Sequence, residues 1–474
     1  MVRRNAGWML VVAVCGLVAV PWMISHAEEP AGQAAAEKPV GKVPASTEAV
    51  KRPEPAPLAE ASKKGLAYLA GQQNADGGWG QGGGWRTGES GRVEGENVKD
   101  PSDVGNTCVA VLALVRSGSL PTSGEYATHV TKGIDFICAN VEKADRQSIW
   151  VTDVRDTQLQ SKIGRYVDTF LAALVLSELK GTTPADKGGS RIDEALKKVI
   201  AKIESNQKED GTFAGNGGWA SVLSQGLCSK ALNRAAQNGV AVKAEVLQRD
   251  FAQAAGQLEA SGVVTGPPAD VPATAPEDGD AVVEPSDDGP REKSECQEES
   301  AGKPVARPSR SAAGDAGIKL YNYSANGARI SDLKNTHDRQ RREVAAVLES
   351  KTTSEQEKGQ AREKLRQFDR VAATQKQAVD EIIKQLDDER FVAGFGNNGG
   401  EEFLSHMNIS ETLCAQGGKD WQRWNKSISS VISKVQNGDG SWSGHHCITG
   451  RTFCTSAALL TLMADRAPIP LAAK

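Results

Sequence analysis

The sequence has few of the residues that most catalytic and nucleic-acid-binding proteins depend on. Only 5% of its 474 residues are aromatic, and six are histidine. Its charges are mixed in sign with a net charge of −4, and no dense stripe of Arg and Lys is interleaved with aromatics, which argues against a nucleic-acid partner. Phosphate-loop, His-Glu-x-x-His and Gly-x-Ser-x-Gly motifs are also absent from the sequence, so it carries no common signature of nucleotide, peptide or ester hydrolysis.

Long apolar runs are missing everywhere except at the amino terminus. There two arginines precede an apolar run from Trp8 to Ile24, and the tripeptide ending at Ala27 has the small-x-small form of a cleavage site. This pattern predicts an export signal over residues 1–27, with the protein in the periplasm or cell envelope. The alternative is an uncleaved membrane anchor, because about 17 apolar residues can just support one.

Eight cysteines are present, of which Cys15 lies within the predicted signal, so seven remain after cleavage. An exported protein can form disulfides, but an odd number leaves at least one thiol unpaired. A Cys447–Cys454 disulfide is one possible pairing.

Two further stretches lack large apolar side chains. Residues 28–57 are rich in Ala, Pro, Glu and Lys, which predicts a flexible linker. No aromatic residue occurs from Ala252 to Leu320, and the middle of that stretch is acidic and Pro-rich. Because such a composition cannot bury enough surface to fold, residues 251–317 are predicted to be a disordered insert.

The most informative pattern is a turn motif, Gln-x-x-Asp-Gly-x-aromatic, that occurs three times. The copies are Gln73 to Trp79, Gln207 to Phe213 and Gln436 to Trp442. Asp-Gly is a turn pair, since Gly supplies positive φ and Asp bonds nearby backbone N–H groups, while the Gln and the aromatic attach the turn to neighbouring helices. Each copy follows an amphipathic stretch and precedes a more apolar one, so the sequence predicts repeated helix pairs.

The predicted pairs occupy residues 58–250 and 391–466. In the first part they are 58–72 with an apolar helix opening at Asn106, 125–141 with 165–180, and 191–206 with 219–237. In the second part an inner helix begins over Phe403 to Glu411, and 419–435 pairs with 451–465.

Residues 318–390 differ from the rest, because the segment 331–390 is rich in charge and carries a narrow apolar stripe at helical spacing that is broken near Gly359. This pattern predicts a long helical hairpin, similar to a coiled coil, whose last part serves as the outer helix of the fourth pair. It is either a partner-binding arm or a solvated helical insertion.

The three turns resemble the QW-type repeats of the terpenoid cyclase and protein prenyltransferase superfamily, over residues 58–250 and 318–466. The resemblance implies an all-α fold, an α/α toroid of about five helix pairs whose inner helices surround a central cavity. Together with the predicted signal, it implies an exported protein, similar to squalene cyclases and prenyltransferases, that binds or transforms an apolar, isoprenoid-like ligand in that cavity.

Candidate site residues follow from aligning the inner helices on the threonine near the start of each. The alignment places Asn106, Asp168, Glu411 and Cys454 near the cavity mouth, at helix N-termini. Asp168 or Glu411 would be a general acid with a pKa raised by burial, and the other candidates nearby are Arg165, His445 and His446. The alternative is ordinary helix capping, which Asn and Asp often perform.

A metal is a second possibility for this region. The weak candidates for a zinc site are His406, His446, Cys447 and Cys454, which offer the nitrogen and sulfur ligands that zinc takes. Their spacing matches no known zinc signature, and a buried cysteine often serves as a small core residue. No other cofactor is implied.

The motifs that carry the family's activities are missing. The Asp-x-Asp-Asp acid motif of squalene cyclases and the Asp-x-Cys zinc pair of prenyltransferases are absent, and Cys414 lacks the spacing of a thioester Cys-Gly-Glu-Gln motif. The opposing hypothesis is therefore a non-catalytic envelope scaffold that contacts a protein partner through the 331–390 arm. A deep apolar cavity lined by Asp168, Glu411 and His446 would favour ligand chemistry, whereas a filled centre would favour a scaffold.

Overall fold

The structure is a computed structural model that describes residues 55–86, 91–95, 98–265, 310–396 and 398–468, with the backbone alone for 310–315. The predicted signal at 1–27, nearly all of the predicted linker and residues 266–309 of the predicted insert lie outside the described residues.

The described part of the chain is all-α, as the sequence predicted, with fourteen α-helices and one two-stranded hairpin. The helices are α1 Glu60–Gln72, α2 Val104–Arg116, α3 Ala127–Lys143, α4 Gln158–Ile163, α5 Val167–Leu179, α6 Gly189–Asn206, α7 Ser221–Gln237, α8 Ala244–Ala260, α9 Arg310–Glu349, α10 Glu355–Gln385, α11 Glu389–Ala393, α12 Gly400–Gln416, α13 Gly418–Lys434 and α14 Arg451–Leu462. The strands β1 Gly84–Trp85 and β2 Arg92–Val93 pair antiparallel. Among the described residues, none of the helices combines the length and the apolar character needed to span a bilayer.

Six helices, which we call the inner helices, form the buried layer. They are α2, α5, α7, α9, α12 and α14. In α5 every residue is buried, which is typical of a helix surrounded on all sides. Each inner helix packs against the next in the order given, and α14 packs against α2. The six inner helices of the described chain therefore form a closed cycle of packing neighbours.

The other long helices bury one face each and form an outer layer. They are α1, α3, α6, α8, α10 and α13, and each packs on one or two inner helices. The described part of the chain thus contains six outer–inner pairs, one more than the five to which the sequence analysis assigned residues. The missed pair is α8 with α9: α8 crosses the predicted boundary at residue 251, and its buried face contains Asp250 among few apolar residues.

The predicted helical hairpin is present, but its halves differ from the prediction. α9 is buried at Leu320, Ala325 and Ile330, so residues 318–337 belong to the inner layer rather than to an arm. The chain turns at residues 350–354 because Ser354 caps α10, accepting from the Glu357 N–H; Gly359 lies inside α10. We call residues 338–367, where both helices are largely exposed, the exposed hairpin.

The three repeat turns make the same contacts. Each Gln side-chain amide donates to the carbonyl of its own motif glycine and to a carbonyl in the first turn of the following outer helix. The second set of bonds is Gln73 to His129 at 2.9 Å, Gln207 to Val246 at 3.3 Å and Gln436 to Ala61 at 2.9 Å. The last of these joins α13 to α1, which lie at opposite ends of the described chain.

The tryptophans of the first and third turns are equivalent too. Trp79 Nε1 donates to Leu69 O at 2.7 Å, and Trp442 Nε1 donates to Ile432 O at 2.9 Å, both within the preceding outer helix. Both indoles are fully buried. The turn thus joins the outer helix before it, the inner helix after it and the next outer helix.

Candidate functional site

The first turns of α2, α5, α12 and α14 lie at one end of the inner layer, beside Tyr321 of α9, and we call this end the opening face. Gly105 N in α2 donates to Asp168 Oδ1 in α5 at 2.8 Å, and Tyr321 Oη in α9 donates to Glu402 Oε1 in α12 at 2.8 Å. Ile448 N, just before α14, donates to Glu401 Oε2 at 3.2 Å. Carboxylates therefore recur where helix N-termini present free N–H groups.

Asp103 and Asp168 form the first acidic pair on this face. Asp103 caps α2 and accepts from the backbone N–H and the side-chain amide of Asn106, both at 2.8 Å. Asp168 Oδ2 accepts from Gln160 Nε2 at 2.7 Å. Burial, with Asp168 adding its charge, raises the pKa of Asp103 to about 7, and burial also raises the pKa of Asp168.

The second acidic group on the opening face combines Glu401, Glu402 and His446. One ligand atom from each lies within 4.8 Å of the others. His446 Nε2 is 3.3 Å from Glu402 Oε2, which also accepts from Gly399 N at 2.9 Å. Burial, with the charge of Glu402 second, raises the pKa of Glu401 to about 8. We call these three side chains the Glu-Glu-His cluster.

Cys447 adjoins this cluster with a left-handed backbone, φ 51°. Burial, followed by the charge of Glu401, raises the pKa of its thiol to about 12. The thiol is therefore a poor nucleophile at neutral pH.

An aromatic rim lies beside the Glu-Glu-His cluster. The Phe395 ring is 5.4 Å from that of Tyr321, 6.0 Å from that of Trp219 and 6.3 Å from that of His446. Trp219 is 63% exposed, which is unusual for a tryptophan that has aromatic neighbours in a folded chain. The opening face thus offers solvent an aromatic surface next to buried acids.

Glu411 does not lie on this face, which corrects the predicted position. The inner helix α12 runs from Gly400 to Gln416 instead of beginning within Phe403 to Glu411, so Glu411 lies near the end of the helix and not at its start. Two of the repeat turns fix the register of the inner helix that follows, because Thr107 and Thr455 accept from the backbone N–H groups of Trp79 and Trp442 at 2.9 Å. No repeat turn precedes α12, so nothing equivalent sets the position of Thr412. Glu411 and Asp168 consequently belong to different ends of the inner layer.

At that far end Glu411 belongs to a buried set of ion pairs, which we call the ionic network. Its carboxylate accepts from Lys230 Nζ at 2.7 Å and from Arg116 Nη1 at 3.0 Å. Burial favours the neutral acid, but Lys230 and Arg116 outweigh it and lower the pKa of Glu411 to about 2. Glu411 is therefore an ion-pair partner and not a proton donor near neutral pH.

Further ion pairs extend the network to five inner helices. Arg116 makes a bidentate pair with Glu178, and Lys230 Nζ lies 3.1 Å from Asp332 Oδ2. Arg234 approaches Glu178 at 3.8 Å. The cavity beside Lys230, Asp332 and Glu411 has a volume of about 10 Å³, which is roughly the room for one water.

The remaining predicted residues are dispersed. Arg165 and His445 are exposed on the opening face. Of the two histidines predicted to be catalytic, only His446 lies next to a buried carboxylate, that of Glu402. His406 faces the outer layer, where its Nε2 is 2.9 Å from Val392 O and its ring packs edge-on to Trp424. Cys447 and Cys454 are free thiols. The structure does not assemble His406, His446, Cys447 and Cys454 into one site, because α12 carries His406 on its outward side.

Sequence reasoning missed Asp103, Glu401 and Glu402. A signal was present for the glutamates, since they follow Gly399-Gly400 and acidic residues often occupy the first turn of a helix. That signal predicts capping only. Their meeting with His446 depends on the packing of α12 against the loop before α14.

A comparison with known protein families found no family that matches the chain, and a comparison with curated proteins found no relative. The resemblance to terpenoid cyclases and protein prenyltransferases thus stays an inference from the repeat turns.

Proposed function

We propose that the chain is an exported, non-catalytic scaffold built as an α/α toroid, which contacts a protein partner through its exposed hairpin. The closed order of inner helices supports the toroid, as does the bond from Gln436 to Ala61 that joins the last outer helix to the first. Export rests on the predicted signal at residues 1–27.

The observation that carries the scaffold proposal is the ionic network. It joins the ends of α2, α5, α7, α9 and α12 through charged side chains that are almost fully buried, including Arg116, Lys230 and Glu411. An isoprenoid chain in this position would displace paired charges and leave them unpaired, at a cost of several kcal/mol. The interior suits a rigid body better than an apolar pocket.

Polar side chains continue along the inward face of α12. Glu401, Ser405 and Asn408 recur at helical spacing on the side opposite Ser410, which accepts from Trp424 Nε1 of the outer layer at 2.8 Å. All three are buried, and Glu401 Oε1, Ser405 Oγ and Asn408 Nδ2 make no hydrogen bond. Groups of this kind favour water or a polar ligand over an apolar one.

The exposed hairpin is mounted on this rigid body. α9 is a single helix of 40 residues whose first half is an inner helix and whose second half enters the hairpin. His337 stacks on Phe368 with ring centroids 4.1 Å apart, and Arg341 pairs with Asp369 at 2.7 Å. A partner held by the hairpin would therefore have a fixed orientation relative to the inner helices.

The test is a variant that lacks residues 342–367, with Arg341 joined to Phe368 by a short loop, since the Arg341 guanidinium already lies over the Phe368 ring at 5.8 Å. Native mass spectrometry of full chain and variant, each purified from its own envelope, compares their co-purifying molecules. We expect a protein partner with the full chain only and the same melting temperature for both. A co-purifying isoprenoid in both preparations would contradict the proposal.

A second candidate function is proton donation to an apolar ligand at the opening face. The specific observation in its favour is Asp103, whose pKa of about 7 would keep it partly protonated at neutral pH. Farnesyl diphosphate and squalene are suitable probes, with product formation followed by mass spectrometry. Turnover that is lost in both Asp103→Asn and Asp168→Asn, but kept in Asp76→Asn, would establish this function in place of the scaffold.

A further inference from the structure

The Glu-Glu-His cluster has the geometry of a metal site. Two ligands bound to a tetrahedral zinc ion at about 2.0–2.1 Å are about 3.3–3.4 Å apart. His446 Nε2 and Glu402 Oε2 are separated by 3.3 Å. A third ligand atom, from Glu401, lies within 4.8 Å of both.

An unsatisfied side chain points to a missing ligand at this place. Glu401 is fully buried, and its Oε1 makes no hydrogen bond. A buried carboxylate oxygen without a partner is costly, so such atoms call for an explanation. The charge of Lys162 lowers the pKa of this carboxyl, but it acts on Glu401 less than the charge of Glu402 does.

Gly399 allows the imidazole to reach the carboxylates. A Cβ at this position would lie 2.4 Å from Glu402 Oε2 and 2.7 Å from His446 Cε1, closer than real Cβ contacts permit. The His446 side chain is 27% exposed while Glu402 is fully buried, so an ion can enter from the solvent side of the imidazole.

We propose that Glu401, Glu402 and His446 bind one divalent first-row transition-metal ion, with zinc as the preferred occupant. One nitrogen and two carboxylate oxygens are ligands that zinc accepts, and three protein ligands leave a fourth position for water. The imidazole disfavours Mg²⁺ and Ca²⁺, which take oxygen ligands. The proposal is independent of the scaffold function, because the cluster and the exposed hairpin are different parts of the chain.

Zinc binding to the chelator-treated full chain tests this inference. Isothermal titration with Zn²⁺ is expected to show one equivalent, bound at least tenfold more tightly than Ca²⁺. Glu401→Gln and His446→Ala should each weaken Zn²⁺ binding at least tenfold. Gly399→Ala should weaken it as well, without removing a ligand.

His445→Ala is the matched control, because this neighbouring histidine is exposed and only its backbone is held, through His445 N to Asn398 O. It should bind Zn²⁺ like the unaltered chain. The proposal is overturned if the unaltered chain binds no equivalent of Zn²⁺, if binding survives the double change of Glu401 and His446, or if His445→Ala weakens binding equally. A lowered melting temperature would show that Glu401→Gln is misfolded. The Zn²⁺ binding of His446→Ala then decides the result, because His446 is partly exposed and its replacement disturbs the fold less.

Discussion

Glycine at two equivalent positions of the outer helices makes room for the tryptophan of a repeat turn. A Cβ on Gly65 of α1 would lie 2.7 Å from Trp442 Cζ3, and one on Gly133 of α3 would lie 3.0 Å from Trp79 Cζ3. The motif glycines Gly77 and Gly440 have positive φ and also meet backbone carbonyls of the next outer helix. Individual atoms in these turns therefore set how closely successive outer helices approach.

Gly65→Ala should destabilise the fold by about 1–3 kcal/mol, because its methyl group would overlap a buried indole that cannot move freely. Gly71 lies on the same helix with nothing within 4 Å of an added Cβ. Gly71→Ala should therefore be neutral or up to about 1 kcal/mol more stable. Urea unfolding measures both, and equal effects would show that the Trp442 contact does not limit the packing.

The pH dependence of stability should reveal the buried Asp103. Its ordinary pKa is 3.8, and burial raises the pKa to about 7 in the folded chain. Between these values the folded chain holds a proton that the unfolded chain has lost, so stability falls as pH rises from about 4 to 7. The slope for one proton is at most about 1.4 kcal/mol per pH unit.

Asp103→Asn should make the decline shallower by the contribution of one proton, measured as urea unfolding at several pH values, while Asp168 and Glu401, whose pKa values burial also raises, keep theirs. Glu363 is the control, because hydrogen bonding to Arg366 lowers its pKa from the ordinary value of 4.5. Its titration therefore changes stability only at a lower pH than the range in which Asp103 acts. Glu363→Gln should follow the unaltered chain between pH 5 and 8. An Asp103→Asn profile that still declines as steeply as that of the unaltered chain would show that Asp103 is ionised throughout.

At the scale of elements, the ionic network holds helix ends that the repeat turns do not reach. Arg116 makes ion pairs with Glu178 and Glu411, and at most 5% of any of these three side chains is exposed. Buried pairs of this kind add little over an apolar core, but breaking one leaves charges unpaired. The network thus penalises any rearrangement that separates these helices.

Arg116→Met should therefore cost about 3–5 kcal/mol of unfolding free energy, because it removes the cation that two buried carboxylates share and leaves Glu178 with only the longer Arg234 contact at 3.8 Å. Arg191 is a matched control, since it pairs with Glu142 and Asp135 but is 38% exposed. Arg191→Met should cost less than about 1 kcal/mol. A loss below 1 kcal/mol for Arg116→Met, measured by urea unfolding, would mean that water enters the network.

The elements that the sequence predicted are those with a local signal. The helices next to the three repeat turns were predicted, since Asp-Gly turns and apolar periodicity are written in neighbouring residues. α8 was missed because a charged residue, Asp250, occupies its buried face. Asp250 pairs there with Arg329 of α9 at 2.7 Å, a residue that follows the undescribed insert in the sequence. The Glu-Glu-His cluster was missed for a similar reason, as Glu402 and His446 meet only through tertiary packing.

At the scale of the whole molecule, we infer that the described helices close into a ring. The turn that follows α13 contacts α1 as the turn that follows α1 contacts α3, because Gln436 donates to Ala61 O and Gln73 donates to His129 O. The step from the last outer helix to the first is thus equivalent to a step between consecutive ones. An open superhelix would keep the second contact and lack the first.

Electron-spin distance measurement between α13 and α1 tests ring closure most directly. Labels on Lys434 and Lys63 probe the closing step, and labels on Gly71 and Thr131 occupy the matching positions of the step from α1 to α3; all four sites are exposed. Labelling of the chain without its predicted signal uses a background with Cys296→Ser and Cys447→Ser, since the remaining cysteines are described and buried.

A closed ring predicts closely similar distances for the two label pairs, because both join neighbouring outer helices. In an open superhelix the Gly71–Thr131 distance would stay the same. The Lys434–Lys63 distance would then grow to on the order of 50 Å, since neighbouring helices are separated by about 8–10 Å at each of five intervening steps. That result would contradict the ring.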